Sequence, residues 1–167
     1  MLPKIKTILY ASDLSKNSAY AYLLALSCAE KYGASINVVH IIESMGPRER
    51  SIVEGYLLEG QRAKIQKALK EHIEGRLRMF CDSHANESPE CAMRVSSISV
   101  HEGKPAVEIL KQAKKFGADL IFIGSHGKGS SVPLFFGSVA RKVVELSSIP
   151  VVVVPVLEDS NIAFAEI

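Results

Sequence analysis

Short apolar runs alternate along this chain with longer segments of helical period, and that alternation limits the folds open to it. "IKTILYA" (Ile5 to Ala11) and "DLIFIG" read as buried strands, "SINVVHII" (Ser35 to Ile42) as a second strand, and "PVVVVPV", bounded by Pro150 and Pro155, as the last. "AMRVSSISV" (Ala92 to Val100) alternates apolar with polar residues, which predicts a half-exposed or edge strand. Between these runs, Ala19, Leu23, Leu26 and Ala29 recur at helical spacing and stop at Gly33. Asp13 or Ser15 is placed to cap that helix. From about Glu59 a long helix is expected, with Ile65, Leu69, Ile73, Leu77 and Phe80 as its stripe. Pro105 starts a third helix that Gly117 ends, and a fourth runs to about Ser148. The stretches around Gly46 and Pro47 and from Asp82 to Glu90 are expected to be loops.

Five strands alternating with four helices predict an α/β fold: a parallel sheet with helices on both faces, because parallel neighbours need crossovers. With no internal repeat and no linker rich in Pro, Gly or Ser, residues 1–167 are expected to form a single domain. Lys+Arg 20 against Asp+Glu 18 leaves +2 with no basic run, so the charge gives no support to nucleic-acid binding. No apolar stretch has the length of a membrane span, and the N-terminus lacks a secretory pattern, so a cytoplasmic protein is expected. Three cysteines suit a reducing compartment. Cys28 is expected in the core. Cys81 and Cys91 with His84 resemble part of a metal site but lack an evident fourth ligand, so free thiols are the better expectation.

In an open parallel sheet, ligands bind at the carboxyl ends of the strands where the strand order reverses. The loop after the first strand, "SDLSKNSA", has no glycine and so no dinucleotide fingerprint. The loop after Ile123 is "GSHGKGSSVPLFFGSVARK". It misses a phosphate-loop motif because Ser130 stands where lysine is required, and "GKGSSV" fails the G-x-G-x-x-G pattern at its last position. No G-x-S-x-G elbow is present, and Ser125 beside His126 is not a catalytic dyad by adjacency alone.

The spacing that stands out is Gly124-x2-Gly127-x9-Gly137-Ser138. It offers two clusters of backbone N–H groups, one behind a strand and one at a helix start, where free amides and the helix dipole attract phosphate. Ser130 and Ser138 add hydroxyls, and Lys128 adds a mobile charge. The plainer alternative is a glycine-rich connector with Ser138 as a helix cap.

This spacing resembles the ATP-binding motif of the universal stress protein family. "ILYASDLS", "INVVHIIE", "VHEGKPAVEIL" and "DLIFIGSHGKGS…FFGSVARKVVELSSIPVVVVP" are similar to successive parts of the family pattern. The resemblance implies a five-stranded parallel sheet of order 3-2-1-4-5 in three α/β/α layers, of the adenine nucleotide alpha hydrolase-like type. It implies an adenine nucleotide, ATP or a relative such as AMP, held with Mg2+ or Mn2+ at the ends of strands 1 and 4. Ala11 and the backbone around Ile41 would border the adenine, and Ser12 would join the nucleotide-binding residues. Asp13 would lie near the ribose or a phosphate-bound cation. Gly124, Ser125, His126, Gly127, Lys128, Gly129 and Ser130 would wrap the ribose and phosphates. Gly137, Ser138, Val139 and Ala140 would donate from the helix start. No catalytic residue is implied: the "HxGH" and "SGGxDS" motifs of related enzymes are absent, and slow hydrolysis is the most that Asp13, His126 and Lys128 suggest. The family also implies a homodimer through Val151, Val152, Val153 and Val154. Pro133, inside the x9 segment, departs from the pattern by removing an N–H. It favours the alternative of an ATP-independent dimeric interaction module with the same fold.

Overall fold

The computed structural model describes residues 2–58, 60–85, 93–126 and 136–155. Five strands form one parallel sheet: β1 (Thr7–Ser12), β2 (Ser35–Glu43), β3 (Val95–Gly103), β4 (Leu120–Gly124) and β5 (Val151–Val154). Their order is β3-β2-β1-β4-β5, as expected, so the chain reverses direction across the sheet between β1 and β4. The helices are α1 (Lys16–Tyr32), α2 (Pro47–Tyr56), α3 (Gln61–Ala85), α4 (Pro105–Lys115) and α5 (Ser138–Leu146).

The period of two along β1 sorts the core into two layers. Ile8 and Tyr10 point to one face, where α1 supplies Ala19, Tyr22, Ala25 and Ala29 and α3 supplies Ile73, Leu77 and Phe80. Leu9 and Ala11 point to the other, where α4 supplies Ala106, Ile109 and Ala113 and α5 supplies Ala140 and Val143. Small residues on α1 let it lie close to the sheet. The Tyr10, Tyr22 and Phe80 rings fill the space that remains, with centroids 5.3 and 5.2 Å apart. At the amino ends, the Asp119 carboxylate accepts the Lys6 and Thr7 N–H groups at 2.8 and 3.0 Å, which fixes the β1–β4 register.

Several boundaries differ from expectation. The segment around Pro47 is a helix, not a loop. Pro47 sits in the first turn of α2, where a missing N–H costs nothing, and the Glu49 carboxylate accepts the Gly46 N–H at 2.9 Å. Five helices therefore accompany the strands among the described residues. Helix α3 runs through Asp82 to Ala85, into the expected loop, and β3 starts at Val95 rather than Ala92. Helix α5 ends at Leu146, short of Ser148. Cys28 is half-buried at the margin of the core, whereas Cys81 is buried, and its burial pushes the thiol up to about 11. His84 Nδ1 lies 2.9 Å from the Phe80 carbonyl, and Cys91 lies outside the described residues.

Candidate functional site

The carboxyl ends of β1 and β4 are neighbours, with Ala11 in register with Ile123. The segments after these two strands flank the point where the strand order reverses, which is where an open parallel sheet forms its crevice. Ala11 and Ser12 close β1, each 6% exposed. The turn beyond them is held by its own side chains. Ser12 Oγ accepts the Leu14 N–H at 3.2 Å, and Asp13 Oδ1 accepts the Ser15 N–H at 2.9 Å. Ser15 caps α1 by accepting the Ser18 N–H at 3.2 Å. Without a glycine, the left-handed conformation falls on Leu14, at φ 63°. That conformation costs a non-glycine residue of order 1–2 kcal/mol, offset here by burial of the leucine side chain.

The β1 side is further fixed from below and from the side. The Tyr10 hydroxyl donates to the Ser18 carbonyl in the first turn of α1, and burial raises its pKa. His40, the register partner of Ser12 on β2, places Nδ1 2.7 Å from the Ser12 carbonyl. Ile41 comes one residue later, beyond the last paired residue of β1, and packs half-buried against the core. It thus stands at the border of the crevice on the side away from β4.

On the β4 side the chain is tied through its backbone. The Ser125 N–H donates to the Val154 carbonyl at 2.7 Å, extending the β4–β5 ladder. The Gly137 N–H donates to the Ser125 carbonyl, also at 2.7 Å. Residues twelve apart in sequence are thereby joined, and the strand-end segment Gly124–His126 lies against the start of α5. Gly124 packs on α1: a Cβ there would meet Asn17 atoms at 3.5 and 3.6 Å. The Asn17 amide donates to the His126 carbonyl at 3.3 Å, fastening the β4 segment to the β1–α1 side.

Ser125 and His126 are buried, at 3% and 5% exposure. Their side chains meet at 2.8 Å through Ser125 Oγ and His126 Nδ1, while His126 Nε2 is buried without a partner among the described residues. Burying a ring nitrogen unpaired is unfavourable, so this atom suits a site completed by another polar group.

The start of α5 differs from the simple-cap alternative. Gly137, not Ser138, is the N-cap, and no side chain among the described residues caps the helix. Ser138 is the first helical residue, so the N–H groups of Ser138, Val139 and Ala140 belong to the turn that has no intrahelical acceptors. Ala140 is buried against the sheet, which anchors this end of the helix.

Of the residues singled out in the sequence, the structure brings together Ala11, Ser12, Asp13, Gly124, Ser125, His126, Gly137, Ser138, Val139 and Ala140, with Ile41 at the margin. Gly127, Lys128, Gly129, Ser130 and Pro133 lie outside the described residues. Asn17 and His40 join the site without having been singled out. Their contacts span 109 and 28 residues and leave no local spacing to read.

Comparison with known proteins agrees with this architecture. The model of the universal stress protein family matches residues 4–155. A universal stress protein of Thermus aquaticus is 30% identical over 154 residues, covering 89% of this chain and 98% of its own. Universal stress protein MJ0577 of Methanocaldococcus jannaschii is 28% identical over 153 residues, covering 89% of this chain and 94% of its own. The solved structure of MJ0577 matches with a TM-score of 0.71 over 91% of this chain and 96% of that one, at 27% identity. That of UspA from Lactobacillus plantarum gives 0.71 over 92% and 99%, at 20% identity, a likeness of fold.

Proposed function

Because this chain belongs to the universal stress protein family, we propose that it is a stress-response regulator that holds an adenine nucleotide, ATP foremost, at the carboxyl ends of β1 and β4. The observation that carries this function is the Gly137 N–H to Ser125 carbonyl bond, which sets an uncapped helix start against the end of β4. A glycine cap without a side chain leaves the first-turn amides of α5 to an outside acceptor. The helix dipole favours an anionic one. The Gly-x2-Gly-x9-Gly-Ser spacing supplies further amides from Gly127 and Gly129, hydroxyls from Ser130 and Ser138, and the Lys128 ammonium. His126 Nε2, without a partner among the described residues, gives the strand-end half one polar atom that a ligand would complete.

ATP in this crevice would supply the triphosphate charge that these donors stabilise. Ala11 and the backbone around Ile41 would border the base, with Ser12 beside them, and Asp13 would face the ribose or a phosphate-bound Mg2+ or Mn2+. Among the described residues no group of three or more His, Cys, Asp or Glu side chains could hold a metal ion. The cation would therefore be shared between the phosphates and one carboxylate.

Holding suits this site better than cutting. Phosphoryl transfer needs a positioned nucleophile, a group that orients it and compensation for the transferred charge. The Asp13 carboxylate is drawn back onto the Ser15 N–H, and His126 Nδ1 is committed to Ser125. We propose further that the chain forms a homodimer through β5, a four-valine strand at the sheet edge that would pair with its copy.

Heat denaturation of the purified protein, followed by chromatography of the supernatant, tests the nucleotide directly. Adenine nucleotide near one per chain is expected, with ATP turnover well below about 1 s−1. No released nucleotide, together with no calorimetric response to ATP and Mg2+, would leave the interaction module as the function.

A further inference from the structure

A second hollow lies on the carboxyl side of β2 and β3, between α2 and the first half of α3. Ile42, Val53, Leu57, Ile65 and Leu69 form its apolar walls, and its volume is about 120 Å3. It exists because α2 stands off the sheet and none of its residues is buried. Ile65 and Leu69 belong to the stripe whose later members, Ile73 and Leu77, are buried in the core, yet they stay 53% and 42% exposed. An enclosed apolar cavity of roughly 150 Å3 takes up a whole benzene ring; this smaller hollow is open at its mouth and would seat most of one.

The mouth of this hollow is charged in a specific way. Glu54 is ion-paired with Arg62, so the two cancel. Four charges remain. Arg50 and Lys70 have no ion pair among the described residues, and Lys70 is half-buried. Glu43 is exposed. Glu102 is half-buried and accepts one hydrogen bond, from the Gln66 amide at 2.9 Å. The apolar hollow thus opens onto two uncommitted cations and two anions that have not closed on one another.

We propose that this pocket between α2 and α3 binds a small zwitterion with an apolar body, the chemistry of a free apolar α-amino acid. The ring or branched alkyl group would enter among Val53, Leu57, Ile65 and Leu69. The carboxylate would face Lys70 and Arg50, and the ammonium would face Glu102 and Glu43. A purely apolar ligand would leave the four charges unanswered, and a ligand with a single charge would answer only two. The pocket shares no residue with the nucleotide crevice, so the proposal stands apart from the function assigned there.

Methyl-resolved NMR of the full chain tests it, with L-phenylalanine as the probe and 3-phenylpropanoate and phenethylamine as analogues lacking one charge each. Phenylalanine is expected to move the Ile42, Val53, Leu57, Ile65 and Leu69 methyls saturably and to leave Ile109 unmoved. Each analogue should bind at least about fivefold more weakly, the loss of one charged hydrogen-bonded end. Lys70→Gln should remove the gap between phenylalanine and phenethylamine, and Glu102→Gln the gap between phenylalanine and 3-phenylpropanoate. Val53→Trp, which fills the hollow from an exposed helix, should abolish all three. No saturable shift up to about 10 mM phenylalanine, where a millimolar site would be mostly filled, would overturn the proposal. Equal binding of the three compounds, or of toluene, would overturn it as well.

Discussion

Helices α1 and α5 both begin at the crevice, and they begin in opposite ways. The turn into α1 is self-sufficient: Ser15 caps the helix, Asp13 takes the Ser15 N–H, and Ser12 takes the Leu14 N–H. Its only glycine-like conformation is forced on Leu14 and stabilised by burial. The start of α5 has a glycine at the cap, no side-chain acceptor among the described residues, and a backbone tie to Ser125. Both geometries are sound ways to start a helix. The first spends its donors on the fold and makes a rigid wall. The second leaves them for something outside the fold, which is what a phosphate site requires.

The sharpest way to break this contrast is to give α5 the kind of cap that α1 has. Gly137 has φ −58° and ψ 155°, a backbone that aspartate adopts readily at an N-cap. Gly137→Asp is expected to hold or raise stability by a few tenths of a kcal/mol. It would also occupy first-turn amides and set a carboxylate against the phosphates, weakening ATP about 100-fold, or ~3 kcal/mol. Calorimetry with ATP and thermal melts on the same preparation would show affinity lost while stability is kept. Equal ATP affinity would mean that the α5 amides do not meet the nucleotide.

A smaller change removes the donors of one residue only. Ser138 is the first helical residue, where proline is tolerated, so Ser138→Pro deletes one N–H and one hydroxyl and leaves the helix in place. About tenfold weaker ATP binding with an unchanged melting temperature is expected, as for one charge-assisted hydrogen bond. The reciprocal change on the other wall is Ser15→Ala. It should cost about 1 kcal/mol of stability, a fall of roughly 2–4 °C in Tm, and leave ATP affinity within about twofold.

The smallest effect at neutral pH concerns the core under the β1 wall. Burial raises the Cys81 thiol from its ordinary 9.0 to about 11. A raised thiol pKa means that the folded chain keeps a proton the unfolded chain has released. This contribution is whole below about pH 9 and is lost as pH climbs towards 11. Tyr10, also raised by burial, acts in the same direction at still higher pH. Urea unfolding between pH 8 and 11 should show stability declining, and Cys81→Ala should flatten the first part of that decline without touching ATP binding.

Much of this molecule is legible in its sequence because the central strands of the sheet are buried on both faces. Continuous apolar runs mark β1, β2, β4 and β5, and glycine marks the end of α1, where Gly33 takes φ 66° and caps the helix. What escapes is informative. Pro47 reads as a breaker, yet at a helix start proline is neutral; only the Glu49 contact to the Gly46 N–H shows which case applies. Ser138 reads as a cap because serine favours that position, but the tie from Gly137 to Ser125 sets the helix start one residue earlier. Asn17 sits in a polar helix start and His40 among apolar strand residues, and only the folded sheet reveals their partners, His126 on the β4 side for Asn17 and Ser12 on the next strand for His40.

The central claim is that α5 starts uncapped because a nucleotide phosphate completes it. Titration of nucleotide-stripped protein with ATP and Mg2+, monitored at the backbone amides of Ser138, Val139 and Ala140, tests this most directly. Saturable one-to-one binding with large shifts at those amides, absent in Gly137→Asp, is the predicted result. Binding that leaves them unmoved, or no binding at all, would contradict it.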